Sequence, residues 1–195
     1  MALLLSLLMT LVALSCGPAG SLSCVLSRNH VLVSRRNLEL MGKMKKVSPF
    51  SCLKDRRDFR FPWKMVADSQ LQETQAMSVL QEMLQQYFQL FLIEGSSAPW
   101  NLTFLEPLRS GLYQQLEDLD SCLVQKRAEE SSASGIWGPI LAMKKYFWGI
   151  HLYLREKKYS DCAWEVVRVE IMRSFWLSTT LQTRLSIKNE DLESP

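Results

Sequence analysis

Histidine is nearly absent: His30 and His151 are the only two among 195 residues, and neither belongs to an HExxH arrangement. A helix-borne zinc hydrolase therefore lacks its ligands. No GxSxG elbow and no phosphate-cradling glycine loop occurs, which removes two common catalytic signatures. The five cysteines include no CxxC pair, so zinc-ribbon and redox readings fail too. Asp118 and Asp120 stand two apart, a spacing that turns them away from each other on a helix and suits a solvated acidic face. No catalytic, metal-binding or cofactor-binding residue is expected. The formal charge is only +3. Its clusters, Arg35-Arg36, Lys43 to Lys46 and Lys54 to Arg60, lack the broad basic surface and interleaved aromatics of a nucleic-acid binder. Nothing alternates like a strand, no repeat is visible, and past residue 23 no apolar run is long enough to enter a membrane.

What is present begins with a removable address. Leu3 to Leu14 is mostly apolar but too short to span a bilayer, and Ser21 and Ser23 suit cleavage before Cys24. Residues 1–23 then form a signal peptide and 24–195 a single domain, ample for a core without metal support. Cleavage removes Cys16 and leaves Cys24, Cys52, Cys122 and Cys162. An even number in an oxidising compartment implies two bridges, with three possible pairings. Asn101-Leu102-Thr103 is the only N-glycosylation sequon, and Asn101 suits a glycan and a helix N-cap alike.

Five stretches show helical period, which predicts an all-α bundle. The first runs from about Val33 to Lys45, with Val33, Asn37, Leu40 and Met44 on one side. A long connection follows, from Lys46 to Gln75, broken by Pro49 and Pro62 and fastened at Cys52. The second helix, Ala76 to Phe91, turns Ala76, Leu80, Met83, Tyr87 and Phe91 inward. The third, Thr103 to Val124, carries a seam of Leu105, Leu108, Leu112, Leu116, Leu119 and Leu123. Pro107 predicts a late start or a bend there. Lys126 to Pro139 reads as a loop. The fourth helix, Ile140 to Lys157, points Ile140, Met143, Phe147, Ile150 and Leu154 inward, and leaves His151 at the surface. The second long crossover of a four-helix cytokine topology is not evident.

The fifth helix opens at Ser160 or Asp161, either of which suits an N-cap. It ends near Arg184, leaving Ser186 to Pro195 as a frayed, flexible tail. Stepping 100° per residue places Trp164, Val167, Ile171, Phe175 and Ser178 on one face. Val169, Met172 and Trp176 form a second apolar stripe between Arg168 and Arg173. A helix with one buried face does not need that stripe; a partner protein, or a second neighbouring helix, accounts for it.

Lys157 to Phe175 is similar to the last helix of the type I interferons, as is Ser51 to Phe59 to the same family's early loop. Ser48-Pro49-Phe50 and Asp55 to Pro62 resemble the omega branch more than the alpha branch, and Pro107 resembles the tau branch. The similarity extends from Cys24 to the C-terminus. It implies a five-helix cytokine bundle with a long first crossover and the bridges Cys24–Cys122 and Cys52–Cys162. It also implies a secreted, antiviral ligand for the two ectodomains of the interferon alpha/beta receptor.

On that resemblance, Leu53 and Arg56 of the fastened loop join Arg168, Val169, Met172, Arg173 and Trp176 as the surface for the tighter-binding chain. Leu53 would fill an apolar pocket and Arg56 would make oriented hydrogen bonds. Gln81, Gln85, Phe88, Phe104, Tyr113, Lys144, Lys145 and Trp148 would face the weaker-binding chain, although Phe88 and Phe104 fit a core role equally. The family commonly has arginine at Lys144 and glutamine at Trp148, and a small residue at Trp176. A trophoblast interferon of the tau branch, with a role in recognition of pregnancy, is the nearest alternative. A secreted small-ligand carrier is the alternative from another class, and it would need a cavity where leucine seams predict a filled interior.

Overall fold

Each of the five periodic stretches forms a helix in the computed structural model, which describes residues 28–66, 71–93, 100–129 and 137–193. Helix α1 spans Arg28–Lys43, and a 3-10 helix follows at Pro49–Asp55. The rest are α2 (Trp63–Val66), α3 (Glu73–Leu92), α4 (Leu102–Glu129), α5 (Trp137–Glu156) and α6 (Asp161–Glu193). Among the described residues there is no strand. The expected signal peptide, Cys24 and residues 130–136 of the expected Ser-rich loop lie outside them, while 126–129 and 137–139 of that loop are helical.

The helix ends explain the departures from the expected bounds. The Asn101 side-chain oxygen accepts the Thr103 N–H at 2.9 Å, so α4 starts at once rather than late. Pro107 sits inside it, costing only the bond to the Thr103 carbonyl in the exposed first turn. Pro139 falls in the first turn of α5, where a missing N–H is harmless. The Arg109 guanidinium donates twice to the Phe91 carbonyl, at 2.9 and 2.6 Å, closing the C-terminus of α3. Ser160, not Asp161, caps α6: its Oγ accepts the Ala163 N–H at 3.3 Å. The last helix does not stop near Arg184. It continues to Glu193, with Leu185 and Ser186 buried, so most of the expected tail extends it.

Residue pairings give the helix directions. Gln81 meets Asp120 and Phe88 meets Tyr113, so α3 and α4 are antiparallel. Asn37 meets Gln115 while the earlier His30 carbonyl accepts from that same Gln115, and Gly111 abuts Asn37. Helix α1 thus opposes α4 and runs parallel to α3. Ser34 pairs with Gln182 and Met41 with Arg168, so α6 opposes α1. The order of α1, α3, α4 and α6 is up, up, down, down. The first parallel step requires the long strap from 44 to 72. The second is made by α5 itself, which runs alongside α3, Glu82 facing Lys144 and Tyr87 facing Phe147. This is the second crossover, folded as a helix and so not visible as a loop.

The core is filled by most of the residues expected from α3 to α6, with Leu116 and Ile140 only partly buried, and Trp164, Tyr87, Tyr153, Phe91, Phe147 and Phe175 are among its largest buried side chains. Helix α1 is different. Its buried face is His30, Ser34, Asn37 and Met41, with Met44 buried just past its end, whereas the expected Val33 and Leu40 are only partly buried. Gln115 organises this face. Its amide nitrogen donates to Ser34 Oγ at 2.6 Å and to the His30 carbonyl at 3.1 Å, while its oxygen accepts from Asn37 at 3.0 Å. Ser34 in turn donates to Gln182. A Cβ on Gly111 would lie 2.4 Å from Asn37 Oδ1, so the missing side chain is what lets α4 approach α1.

Burial lowers the His30 pKa from 6.5 to about 4. The unfolded chain therefore takes up a proton before the folded one does. This contribution to stability is complete above pH 6.5 and is lost as pH falls to about 4. Urea unfolding at pH 7 and pH 4.5 is expected to show the wild type losing about 2 kcal/mol more than His30→Gln across that window. Equal losses would show that the imidazole is not responsible.

Candidate functional site

The strap is held to the bundle at several points. Cys52 and Cys162 form a disulfide with Cα atoms 5.2 Å apart. Lys158 and Tyr159 adopt φ of 52° and 54°, and the Tyr159 N–H returns to the Leu154 carbonyl at 2.9 Å. That tight reversal sets Cys162 in the first turn of α6, level with the 3-10 helix. Tyr153 donates to the Asp55 carbonyl at 2.7 Å. Burial, then the nearby Asp55 charge, pushes this phenol up to about 12, so it remains a donor at any physiological pH. Lys157 pairs with Asp55 and Arg57 with Glu156, each at 3.0 Å, and Lys46 reaches Asp161 at 3.2 Å. Phe59 packs edge-on against Tyr153, as Phe61 does against Tyr146.

Between strap and α6 runs an open groove of about 340 Å³ lined by Phe50, Leu53, Arg56, Val166, Val169 and Glu170, among others. Leu53 is 53 % exposed and Val169 44 %. Arg56 is exposed and, among the described residues, is the strap cation at this groove with no ion pair, whereas Arg57 is committed to Glu156. Phe50, 82 % exposed, also lines the groove and was not singled out from sequence. The proline before it, at the start of the 3-10 helix, is the local signal that fixes its position.

The expected surface needs one correction. Arg168 is only 4 % exposed. Its Nε and Nη2 grip the buried Glu165 carboxylate at 2.9 and 2.6 Å, and Nη1 donates to the Met41 carbonyl at 2.9 Å. That carbonyl lies in the last turn of α1, where no helical amide follows to satisfy it. Arg168 thus faces α1 rather than a partner. It lies only 40° from Trp164 on the helical wheel, close enough to the buried face for a long side chain to turn inward. Met172 follows it: half-buried, with Sδ 2.8 Å from Arg168 Nη1 and Cε over Gly42. Arg173 stays exposed, paired to Glu170 at 3.0 Å. Trp176, 60 % exposed, borders a different groove, with Val31, Arg35 and Leu38 of α1.

Of the second expected set, Gln81, Gln85, Phe88 and Tyr113 line one shallow groove between α3 and α4, of about 530 Å³. Gln81 donates to Asp120 at 2.8 Å, and the Phe88 and Tyr113 rings sit 6.1 Å apart. Tyr113 donates to Glu117, which raises its pKa. Phe104 does not line this groove; it is half-buried and packs against the core. Lys144, Lys145 and Trp148 lie on α5, all exposed, joined to α3 by the 3.7 Å contact of Lys144 with Glu82. Cys122 is buried on α4; the partner expected for it, Cys24, lies outside the described residues. Among the described residues no group of three or more His, Cys, Asp or Glu is placed to hold a metal ion, and no helix is long and apolar enough to cross a membrane.

Comparisons with known proteins agree with this architecture. The family model for the interferon alpha/beta domain matches residues 26–185. Interferon omega-1 of Bos taurus is 62% identical over 195 residues and interferon tau-1 of the same species 58% over 194, with 100% of both chains covered in each case. Interferon omega-1 of Homo sapiens is also 58% identical at full coverage. Among solved structures, zebrafish interferon 2 superposes with a TM-score of 0.67 at 26% identity, covering 82% of this chain and 99% of its own. The helical bundle, its strap disulfide and these full-length similarities place the chain in the interferon alpha/beta family, whose members are cytokines and not enzymes.

Proposed function

We infer that this interferon is secreted and bridges the two chains of the interferon alpha/beta receptor. The groove formed by Leu53, Arg56 and Val169 takes the tighter-binding ectodomain. The surface of Gln81, Gln85, Phe88 and Tyr113, with Lys144, Lys145 and Trp148, takes the weaker. Bringing the chains together starts Janus kinase signalling and an antiviral, antiproliferative response. No step is catalysed and no cofactor is used.

The observation that supports this reading is the uncommitted Arg56 beside the exposed Leu53, on a strap tied down at six residues around them. A preorganised apolar and cationic pair is what a high-affinity protein contact requires. Arg56→Ala is expected to weaken binding to one isolated ectodomain by about 2 kcal/mol or more, with the unfolding midpoint unchanged. Titration of the purified protein onto each immobilised ectodomain tests it; undiminished affinity for both would remove this surface.

Asn101 serves as a glycan acceptor in this reading. Its oxygen is used in the helix cap, while attachment takes place at the amide nitrogen, so the two roles are compatible. Peptide mapping of the secreted protein would read the Asn101 mass and the Cys24–Cys122 bridge together, and an unmodified, unbridged product would refute both.

A further inference from the structure

Two hollows meet on the second half of α6. One, of about 650 Å³, lies against α1 and is lined by Arg35, Leu38, Trp176, Thr183 and Arg184, among others. The other, of about 150 Å³, lies against the strap and is lined by Phe61, Trp63, Val66 and Leu177. Thr180 and Arg184 border both, as the ridge between them. Each hollow carries an exposed indole, Trp176 at 60 % and Trp63 at 56 %. Trp176, Thr180, Thr183 and Arg184 fall within about 100° of one another on the helix, along about 12 Å of its length.

Charge and hydrogen bonding select the occupant. From Ile171 to Asn189 the chain has no acidic residue, and none stands in α2. Arg35 is exposed and without an ion pair among the described residues, and Lys64 Nζ lies 5.9 Å over the Trp63 ring. Glu39, the single acid of α1, lines neither hollow. Cations with no acid among them suit an anionic chain. The Thr180 and Thr183 hydroxyls donate to carbonyls of their own helix, at 3.3 and 2.9 Å. Towards solvent they present lone pairs, which accept from hydroxyl donors. A sugar chain supplies such donors, together with apolar C–H faces that pack on an indole, and its sulfates meet the guanidinium forks. A flat bilayer does not enter two hollows, and a nucleic-acid backbone offers few hydroxyl donors.

We propose that the hollows on either side of Thr180 and Arg184 bind a sulfated polysaccharide, with Trp63 and Trp176 against its rings and Arg35, Lys64 and Arg184 at its sulfates. The site is separate from the Leu53, Arg56 and Val169 groove and does not depend on the receptor-bridging reading. The test compares wild type, Trp63→Ala/Trp176→Ala, Arg35→Gln/Lys64→Gln and a charge-matched control, Lys43→Gln/Lys45→Gln. Each is measured on immobilised heparin, fully desulfated heparin, vesicles of phosphatidylcholine with phosphatidylserine, and poly-dT. Wild type is expected to bind heparin and to lose that binding on desulfated heparin. The indole pair and the cation pair should each lose about tenfold or more on heparin, with unfolding midpoints unchanged, while the control stays within about twofold.

No wild-type binding to heparin would overturn the site. So would an equal loss in the control, or full affinity in the indole pair, since either reduces the binding to general attraction by a basic protein. Tighter binding to vesicles or to poly-dT, abolished in the indole pair, would assign the surface to that class and overturn the proposal. A loss of ectodomain affinity in the indole pair would return Trp176 to the receptor surface and overturn it as well.

Discussion

Arg168→Ala is expected to cost about 3–5 kcal/mol of folding stability, the range found when one partner of a buried ion pair is removed. The guanidinium holds three acceptors in a site that is 4 % exposed: both oxygens of Glu165, itself 2 % exposed, and the Met41 carbonyl. Alanine leaves a buried carboxylate without its counter-charge and a helix-end carbonyl without its donor. Arg173, five residues on and exposed beside Glu170, provides the contrast; Arg173→Ala should shift stability by about 0.5 kcal/mol or less. Urea unfolding measures both, and a loss under about 1 kcal/mol for Arg168→Ala would contradict the buried pair. The double change Glu165→Leu/Arg168→Met removes both charges at similar volume and should recover most of the stability. If the recovered protein also keeps its receptor affinity, Arg168 supports Val169 and Met172 from behind. If it folds but no longer binds, the arginine itself reaches the partner.

Cys52→Ser with Cys162→Ser should be the second severe change. The bridge joins residues 110 apart, for which loop closure in the unfolded chain accounts for at most about 4–5 kcal/mol. The remaining attachments of the strap are partly exposed ion pairs worth little each, together with the Tyr153 hydrogen bond and two aromatic contacts. Leu53 and Arg56 would then no longer be fixed opposite Val169. Affinity for the tighter-binding receptor chain should fall tenfold or more, measured at a temperature where circular dichroism shows the variant fully folded. Full affinity in that folded variant would mean that the strap is positioned by its other contacts. Serine pairs at both ends also remove the option of mispairing with Cys24 or Cys122.

The legible parts of this fold were those whose physics is periodic and apolar. The inward faces of α3 through α6 could be read from Leu80, Leu112, Phe147 or Ile171 because each lies on a seam of its own kind. The fastening of the strap followed from cysteines set by the family resemblance, and Cys52–Cys162 is present. Helix α1 defeated the same approach, since the residues it buries are largely polar, with Ser34 and Asn37 hydrogen-bonded to Gln115 and Gln182, more than 75 positions away in sequence. Arg168 failed for a related reason: hydropathy treats an arginine as surface, and only the distant Met41 carbonyl and the adjacent buried Glu165 turn it inward. Pro107 misled because its cost depends on whether the carbonyl one turn earlier faces water. Trp137 escaped notice because the polar, Ser-rich stretch from Lys126 to Pro139 reads as a loop, whereas α5 begins at Trp137.

Two neighbouring helices that point the same way oblige the chain to travel back along their full length before the second can begin. The return path between 44 and 72 is therefore compulsory for this bundle, whatever it does. On the receptor-bridging reading proposed above, half of a recognition surface lies on that obligatory stretch. Attempts to trim it for a smaller or hardier molecule would meet two limits at once, the distance to be covered and the message it bears.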